Sequence, residues 1–294
     1  MLGPMTKLRT TISAALLAAS AASAQSITLY SEAPAVVLPP STAALQERTI
    51  SAHPELLPDV GSAPGTLIDF PLFGGSTLAG RITSAHVDSG LRVYQGVLPG
   101  EAEGEFLLVA GDTILTGEIR TAALGVVEIR PAPGGLHVLR HVDQSGFAPC
   151  ATTNEHAVDG GGSVVPPYVP RDIPTARVLV VYTPLARDLE GGDAAIQTRI
   201  VFAINQANTA YANSNVNARL ELAGWALTDY PESNDANTDL SRLRSRTDGF
   251  MDEVHCLRDV TGADDVSLLV SSFNACGIGY LQTNPGPGFN TSAF

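Results

Sequence analysis

The spacing of hydrophobic residues changes along this chain, and each change predicts a different kind of structure. Residues 67–142 contain short runs of aliphatic and β-branched residues, and glycine-rich turns separate the runs. The runs occupy residues 67–70, 78–82, 91–94, 106–109, 114–119, 126–129 and 136–139. Short runs between regularly spaced turns predict an antiparallel β domain.

Beyond residue 176 the apolar pattern becomes longer. Residues 177–183 form a near-continuous apolar run, which is typical of a buried strand. Ile196, Ile200 and Ile204 then follow Gly191 and Gly192 at helical spacing. The remaining predicted elements are strands over 218–230 and 265–270 and a second helix over 240–257 with Thr238 as its cap. Alternating strands and helices predict an α/β layer domain.

Two segments interrupt these patterns. Residues 25–60 are rich in Pro, Ala and Ser and have weak periodicity. Residues 150–174 combine Gly160–Ser163 with several prolines, which predicts a protease-accessible linker and an activation site. The predicted division is a signal peptide at 1–24, a β-rich domain at 25–149, this linker at 150–174 and an α/β part at 175–294.

The first residues are typical of an export signal. Lys7 and Arg9 precede an apolar run at 12–19, and Ala22-Ser23-Ala24 predicts cleavage before Gln25. A short buried helix or a membrane anchor is the alternative. No later run reaches the ~20 apolar residues that a transmembrane helix needs. We therefore expect a secreted or periplasmic protein with no transmembrane segment.

The charge of the chain excludes some partners. The net charge is −13, and Lys7 is the only lysine. Because an acidic surface repels phosphate backbones, we expect no nucleic acid partner. The hydrophobic share of 44% is that of a globular protein.

No complete catalytic site or metal site can be assembled from the motifs. A zinc helix needs two histidines one helical turn apart with glutamate after the first. His137 and His141 have that spacing, but they lie in a strand-like run, where the two positions are ~13 Å apart. Position 138 is Val, so the glutamate is missing as well. We therefore predict no catalytic residue and no metal ligand in this chain.

Several segments of the second half nevertheless resemble one family in order and spacing. Val178–Pro184, followed by Ala186-Arg187, resembles the opening strand of the bacterial reprolysin-like metzincins, which include secreted peptidyl-Asp metalloendopeptidases. Further similar segments are 207–214, 249–255, 257–259, 262–269 and 275–280. The first half resembles the propeptide of that family more loosely, at 70–73, 80–82, 94–96, 117–119 and 136–143.

This resemblance implies a zinc endopeptidase precursor that acts on proteins or peptides. The implied fold is α+β, with a β-rich propeptide followed by an incomplete α/β metzincin-type catalytic domain. In the family, the zinc helix H-E-x-x-H-x-x-G-x-x-H and a Met-turn follow the matched region. Zinc is thus the expected cofactor of the complete protein, and we expect this chain, as a fragment or a natural truncation, to be inactive by itself. The alternatives are a non-catalytic exported binding protein and a propeptide-type protease inhibitor.

The three cysteines are Cys150, Cys256 and Cys276. Cys150 ends the propeptide-like region, where a thiolate could occupy the open position of zinc and keep the precursor latent. A disulfide to a residue beyond 294 or an idle thiol is the alternative. We predict a disulfide between Cys256 and Cys276, and the alternative is that one of them bonds elsewhere.

Overall fold

The computed structural model describes residues 26–35, 44–147, 151–152, 173–272, 274–280 and 290–293. Two β-sheets and four α-helices lie within these residues. The first sheet contains β1 (Ile27–Thr28), β2 (Tyr30–Glu32), β3 (Ala44–Ala52), β4 (Leu67–Pro71), β5 (Thr77–Asp88), β6 (Leu91–Val97), β7 (Glu105–Ala110), β8 (Leu115–Thr121), β9 (Gly125–Pro131) and β10 (His137–Val142). The second contains β11 (Ala151–Thr152), β12 (Thr175–Tyr182), β13 (Arg219–Leu227), β14 (Asp265–Leu269), β15 (Ile278–Gly279) and β16 (Asn290–Ala293). The helices are α1 (Pro184–Glu190), α2 (Asp193–Asn213), α3 (Ala236–Arg244) and α4 (Asp252–Thr261).

The first sheet closes on itself through its N-terminal segment. Its strand order is β1-β4-β5-β6-β7-β8-β9-β10-β3-β2, and neighbouring strands are antiparallel except for β1 and β4. The two end strands are separated in the chain by Leu29 alone. Ile27 pairs with Ile68, and Tyr30 pairs with Ala52, so one short segment joins both ends of the sheet. We call residues 26–147 the barrel.

Alternating residues fill the interior of the barrel. Phe106, Leu108 and Ala110 of β7 point inward, together with Tyr94 of β6, into one buried apolar cluster. Phe106 lies 5.1 Å from Phe70 between ring centroids. Burial of this apolar surface is the main stabilising contribution to a barrel of this kind.

The second sheet has helices on both faces. We call residues 173–293 the α/β module, and its strand order, with β11 added, is β11-β15-β16-β14-β12-β13. Strand β12 is parallel to β13 and β14, whereas β15 is antiparallel to β16. The isoleucines of α2 pack on Val178 and Val180 on one face, and α3 and α4 pack on Leu179 and Val181 on the other. The opposite pointing of successive strand residues explains why two cores meet along β12.

Helix α2 is buried on a second face as well. Val201 and Phe202 pack against Val93, Leu107 and Val109 on the outer surface of the barrel. The helix therefore contributes to the core of the α/β module and to the contact with the barrel. Residues on its two buried faces contact both parts of the molecule. Its sequence pattern predicted only one buried face.

The strand predictions between residues 67 and 142 are confirmed, since each predicted run coincides with one of β4 to β10, and only Ile114 and Leu136 lie one residue before their strands. The mixed α and β, strand-rich character of the fold is also confirmed. Strand β3 was missed because charged residues interrupt its pattern. Arg140 of β10 bonds to Glu47, and Arg48 lies 3.0 Å from Glu32. Cross-strand partners thus stabilise charges that made the segment look like a loop.

The predicted second helix is wrong in two respects. It consists of α3 and α4, with Ser245–Met251 between them, and the cap of α3 is Asp235 instead of Thr238. The Asp235 carboxylate accepts a hydrogen bond from the Thr238 backbone N–H at 2.9 Å. Because this bond stabilises the charged form, the pKa of Asp235 is lowered.

The predicted signal peptide and most of the predicted linker lie outside the described residues, so the domain boundaries stay predictions. The division into a propeptide and an incomplete catalytic domain also stays a prediction. In the described part of the chain, no helix is both long and apolar enough to cross a membrane.

Candidate functional site

Polar side chains meet at the carboxyl ends of β12, β13 and β14, the edge at which open α/β sheets commonly bind ligands. Glu232, which follows β13, accepts hydrogen bonds from three groups. The hydroxyl of Thr183 donates one, the backbone N–H of Ser271 donates another at 2.9 Å, and the hydroxyl of Ser271 donates the third at 2.5 Å. Glu232 therefore ties together the loops that leave all three strands.

A second carboxylate lies nearby and is buried. Asp239 of α3 is 1% exposed, and its Oδ1 accepts hydrogen bonds from the Tyr230 hydroxyl and the Ser233 hydroxyl and N–H. Burial raises the pKa of Tyr230, and the bond to Asp239 adds to this effect. Arg242 lies 4.0 Å from the centroid of Phe250, against the same cluster. These contacts fix the 229–235 loop against α3.

The two carboxylates at this edge, Glu232 and Asp239, hold neighbouring loops in place. We assign neither of them a role as a catalytic base. Oδ1 of Asp239 and both oxygens of Glu232 are already used by neighbouring donors. Within the residues that the structure describes, no group of three or more His, Cys, Asp or Glu side chains could hold a metal ion. The described residues therefore do not fit a zinc centre, and we derive no catalytic step through zinc.

A cavity lies beside α2, between the barrel and the α/β module. Its volume is about 1370 Å³, and its walls are mixed polar and apolar. Glu118 and Arg120 contribute from the barrel, Arg199 and Gln206 from α2, and Asp265 from β14. Glu118 forms an ion pair with Arg120 and accepts a hydrogen bond from Gln206, so the charges of Glu118 and Arg120 neutralise each other.

The cysteines are not arranged as predicted. Cys256 is a free, exposed thiol on α4, whereas Cys276, between β14 and β15, is disulfide-bonded. The predicted pairing of Cys256 with Cys276 is therefore wrong. The helix turns Val254 and His255 toward the core and leaves Cys256 in solvent, so its sulfur has no disulfide partner. Cys150, the candidate inhibitory thiol, lies outside the described residues, and its role stays a prediction.

Thiol labelling tests this assignment directly. We expect iodoacetamide to modify Cys256 in the native protein, because its side chain is free and exposed. We expect it to modify Cys276 only after reduction, because that sulfur is already oxidised. Mass spectrometry of the labelled peptides gives the answer, and a Cys256→Ser variant is the control. Labelling of Cys276 without reductant would contradict the assignment.

The same experiment bears on Cys150. Cys276 is disulfide-bonded and Cys256 is free, so two partners stay open for Cys276: Cys150 or a cysteine beyond residue 294. A thiol used in that way could not also bind a metal ion. Peptide mapping without reductant would distinguish a disulfide at Cys150 from a latency thiol.

Sequence reasoning missed the Glu232 network. Each of its members lies just beyond the carboxyl end of a parallel strand. Thr183 follows β12 at once, Ser271 lies two residues after β14, and Glu232 lies in the loop after β13. Polar residues at the ends of successive buried strands were the available signal, because the carboxyl ends of parallel strands meet at one edge.

Comparison with known proteins finds similarity to metallopeptidases. Residues 173–292 match the metallo-peptidase family M12B, reprolysin-like. A peptidyl-Asp metalloendopeptidase of Stenotrophomonas maltophilia strain K279a is 31% identical over an alignment of 267 residues that covers 81% of this chain and 59% of that protein. A peptidyl-Asp metalloendopeptidase of Xanthomonas campestris pv. campestris is 34% identical over 193 residues, 64% of this chain and 45% of that protein. The chain thus spans less than two thirds of the length of these relatives.

One solved structure also aligns with much of the chain. Metalloproteinase-II from Bacteroides fragilis covers 85% of this chain, and the alignment includes 76% of that protein at 10% identity and a TM-score of 0.44. That score is too low for the alignment to support a conclusion about fold or activity.

Proposed function

Because this chain is related to the reprolysin-like M12B metallopeptidases, we propose that it is part of the precursor of a secreted zinc-dependent metalloendopeptidase. In this proposal the barrel is the pro-region and the α/β module is the first part of the peptidase domain. The complete enzyme cleaves proteins or peptides, and the predicted signal peptide directs it out of the cytoplasm.

The observation that carries this proposal is the agreement between the family match and a structural boundary. The match begins at residue 173, and the helix-covered part of the second sheet begins two residues later, at Thr175. The similarity to the Stenotrophomonas enzyme covers 81% of this chain and is therefore longer than the family match, which is limited to residues 173–292. It therefore includes sequence from the barrel, which supports a pro-region shared by the two precursors.

Zinc belongs to this proposal as the cofactor of the complete protein. It would polarise a water molecule for attack on the peptide carbonyl. The printed sequence contains no H-E-x-x-H motif, so we assign no zinc ligand among its residues. What this chain contributes is the anchoring edge described above, in which Glu232 holds three loops in place. We expect no peptidase activity from the printed chain alone.

The test begins with the gene. We expect the reading frame to continue beyond the codon for Phe294 and to encode H-E-x-x-H-x-x-G-x-x-H. The protein from the complete frame should cleave a casein substrate, lose activity with 1,10-phenanthroline and regain it with Zn²⁺. A stop codon directly after Phe294 would rule out the enzyme for this chain. A complete frame whose purified product is inactive after loading with zinc would also count against the proposal.

A further inference from the structure

Strand β7 carries a sequence pattern that a free barrel surface does not explain. A barrel strand with a solvated outer face should alternate apolar and polar residues. Residues 106–110 are instead continuously apolar, and all five are buried. Phe106, Leu108 and Ala110 face the interior, whereas Leu107 and Val109 face α2. The outer face of β7 is therefore built to be covered.

The surface of α2 that covers it is equally specialised. Val201 and Phe202 are 0% and 1% exposed, and they lie in the same apolar cluster as Val93, Leu107 and Val109. These two side chains belong to neither of the two cores within the α/β module. Without the barrel they would be exposed together, and such patches favour association or aggregation.

Polar contacts surround this apolar centre. Asn205 donates to Asp88 at 2.9 Å, Gln206 donates to Glu118 at 2.5 Å, and Asn213 donates to Glu105 at 3.3 Å. Gln95 of the barrel donates to the Thr209 hydroxyl at 2.9 Å. An apolar centre with a hydrogen-bonded rim is the usual anatomy of a specific protein–protein interface.

Two ion pairs of opposite sense cross the same boundary. Arg130 of β9 bonds to Glu190 of α1, and Glu128 of β9 lies 3.8 Å from Arg199 of α2. All four side chains are less than 30% exposed. The barrel thus presents one negative and one positive charge, and the α/β module presents the complementary two. Such an arrangement fixes orientation, since a displaced docking would bring like charges together.

We propose that this face of α2 is a docking surface for the chain's own barrel, and that the barrel and the α/β module remain a noncovalent complex after the connecting segment is cut. The occupant is residues 26–147, which carry the matching apolar strand and the complementary charges. The proposal concerns association alone, so it holds or fails independently of peptidase activity.

The experiment uses the full chain with a recognition sequence for a specific protease inserted after Phe147, so that β11 stays with the α/β module, where it pairs with β15. The folded protein is cut in the presence of reductant, so that the disulfide of Cys276 does not hold fragments together. We expect the two fragments to co-elute in size-exclusion chromatography at about 1 μM and to separate only on strong dilution. The single tryptophan, Trp225, packs against the shared cluster, so its emission should shift to the red on separation.

Charge reversal supplies the matched variants. Arg130→Glu places a carboxylate against Glu190, and we expect the fragments to associate at least about 10-fold more weakly. Arg130→Glu combined with Glu190→Arg restores the opposite charges and should recover most of the affinity. Arg140→Glu is the control, because Arg140 and its partner Glu47 both belong to the barrel and their ion pair does not cross to the α/β module. Circular dichroism of each uncut variant establishes that it has folded.

The outcomes separate clearly. Wild-type fragments that elute apart at every concentration would overturn the proposal. Folded Arg130→Glu fragments that associate as tightly as the wild type, or a double variant that recovers nothing, would overturn the role of the charges in orientation. Weakening by Arg130→Glu, recovery in the double variant and an unchanged Arg140→Glu complex would establish both.

Discussion

Replacing Gly96 with alanine should destabilise the barrel by about 3 kcal/mol, because there is no room for a methyl group at this position. A β-carbon there would lie 2.3 Å from the carbonyl oxygen of Arg81 and 2.3 Å from Cζ of Phe106. The Phe106 ring lies over its own cross-strand partner, and Gly96 leaves the space for it. Urea unfolding followed by far-UV circular dichroism measures the change.

Gly111 provides a matched control in the same barrel. A β-carbon at Gly111 would approach no atom closer than 3.6 Å, so Gly111→Ala should change the free energy of unfolding by less than about 0.5 kcal/mol. Combining Gly96→Ala with Phe106→Leu should restore only part of the loss, since the contact with the Arg81 carbonyl remains. A Gly96→Ala protein as stable as Gly111→Ala would show that the strands adjust without cost.

Acidification should destabilise the barrel through His137, by about 3 kcal/mol between pH 6.5 and pH 4. His137 is fully buried, and burial lowers its pKa from 6.5 to about 4. Its Nε2 accepts a hydrogen bond from the Leu115 N–H at 3.0 Å, so this nitrogen must stay unprotonated in the fold. As the pH falls through this interval, the imidazole of His137 is protonated in the unfolded chain but stays neutral in the folded chain. Stability is therefore present above pH 6.5 and is lost toward pH 4.

A His137→Gln variant isolates this effect. Its side-chain oxygen can accept the same hydrogen bond but does not titrate. Urea unfolding at several pH values should give a stability that falls less steeply for the variant than for the wild type over the same interval. Parallel curves for the two proteins would contradict the assignment, because carboxylates elsewhere contribute equally to both.

Elements with a clear local pattern of apolar residues could be predicted from the sequence. Elements that depend on contacts with distant residues could not. The runs of β4 to β10 were recognisable because β-branched residues and glycine turns repeat there. Strand β3 was not, since Glu47 and Arg48 are stabilised by partners that are distant in the sequence. Helix α2 was found, but its second buried face at Val201 and Phe202 depends on the barrel and has no local signal.

The candidate site was predictable to a smaller extent. A zinc motif is a local pattern, so residue types and spacing alone decide whether residues 1–294 contain one. The Glu232 network joins residues 183, 232 and 271, and only the parallel register of β12, β13 and β14 brings them together. The cysteine pairing failed for a similar reason, since which face of α4 carries Cys256 depends on how that helix packs.

The segment that closes the barrel has a consequence for biogenesis. In the proposed secreted precursor, residues 27–32 would begin two residues after the cleavage site and would be the first structured stretch of the mature protein to leave the export channel. Its partners come later: β4 ends at Pro71, and β3 is held by β10, which ends at Val142. During such export the pairing at both ends of the sheet would be complete only after β10, about 110 residues beyond β2, had also emerged. A purification tag fused directly before Ser26, or cleavage a few residues downstream of Gln25, would disturb the pairing of β1 with β4 and of β2 with β3.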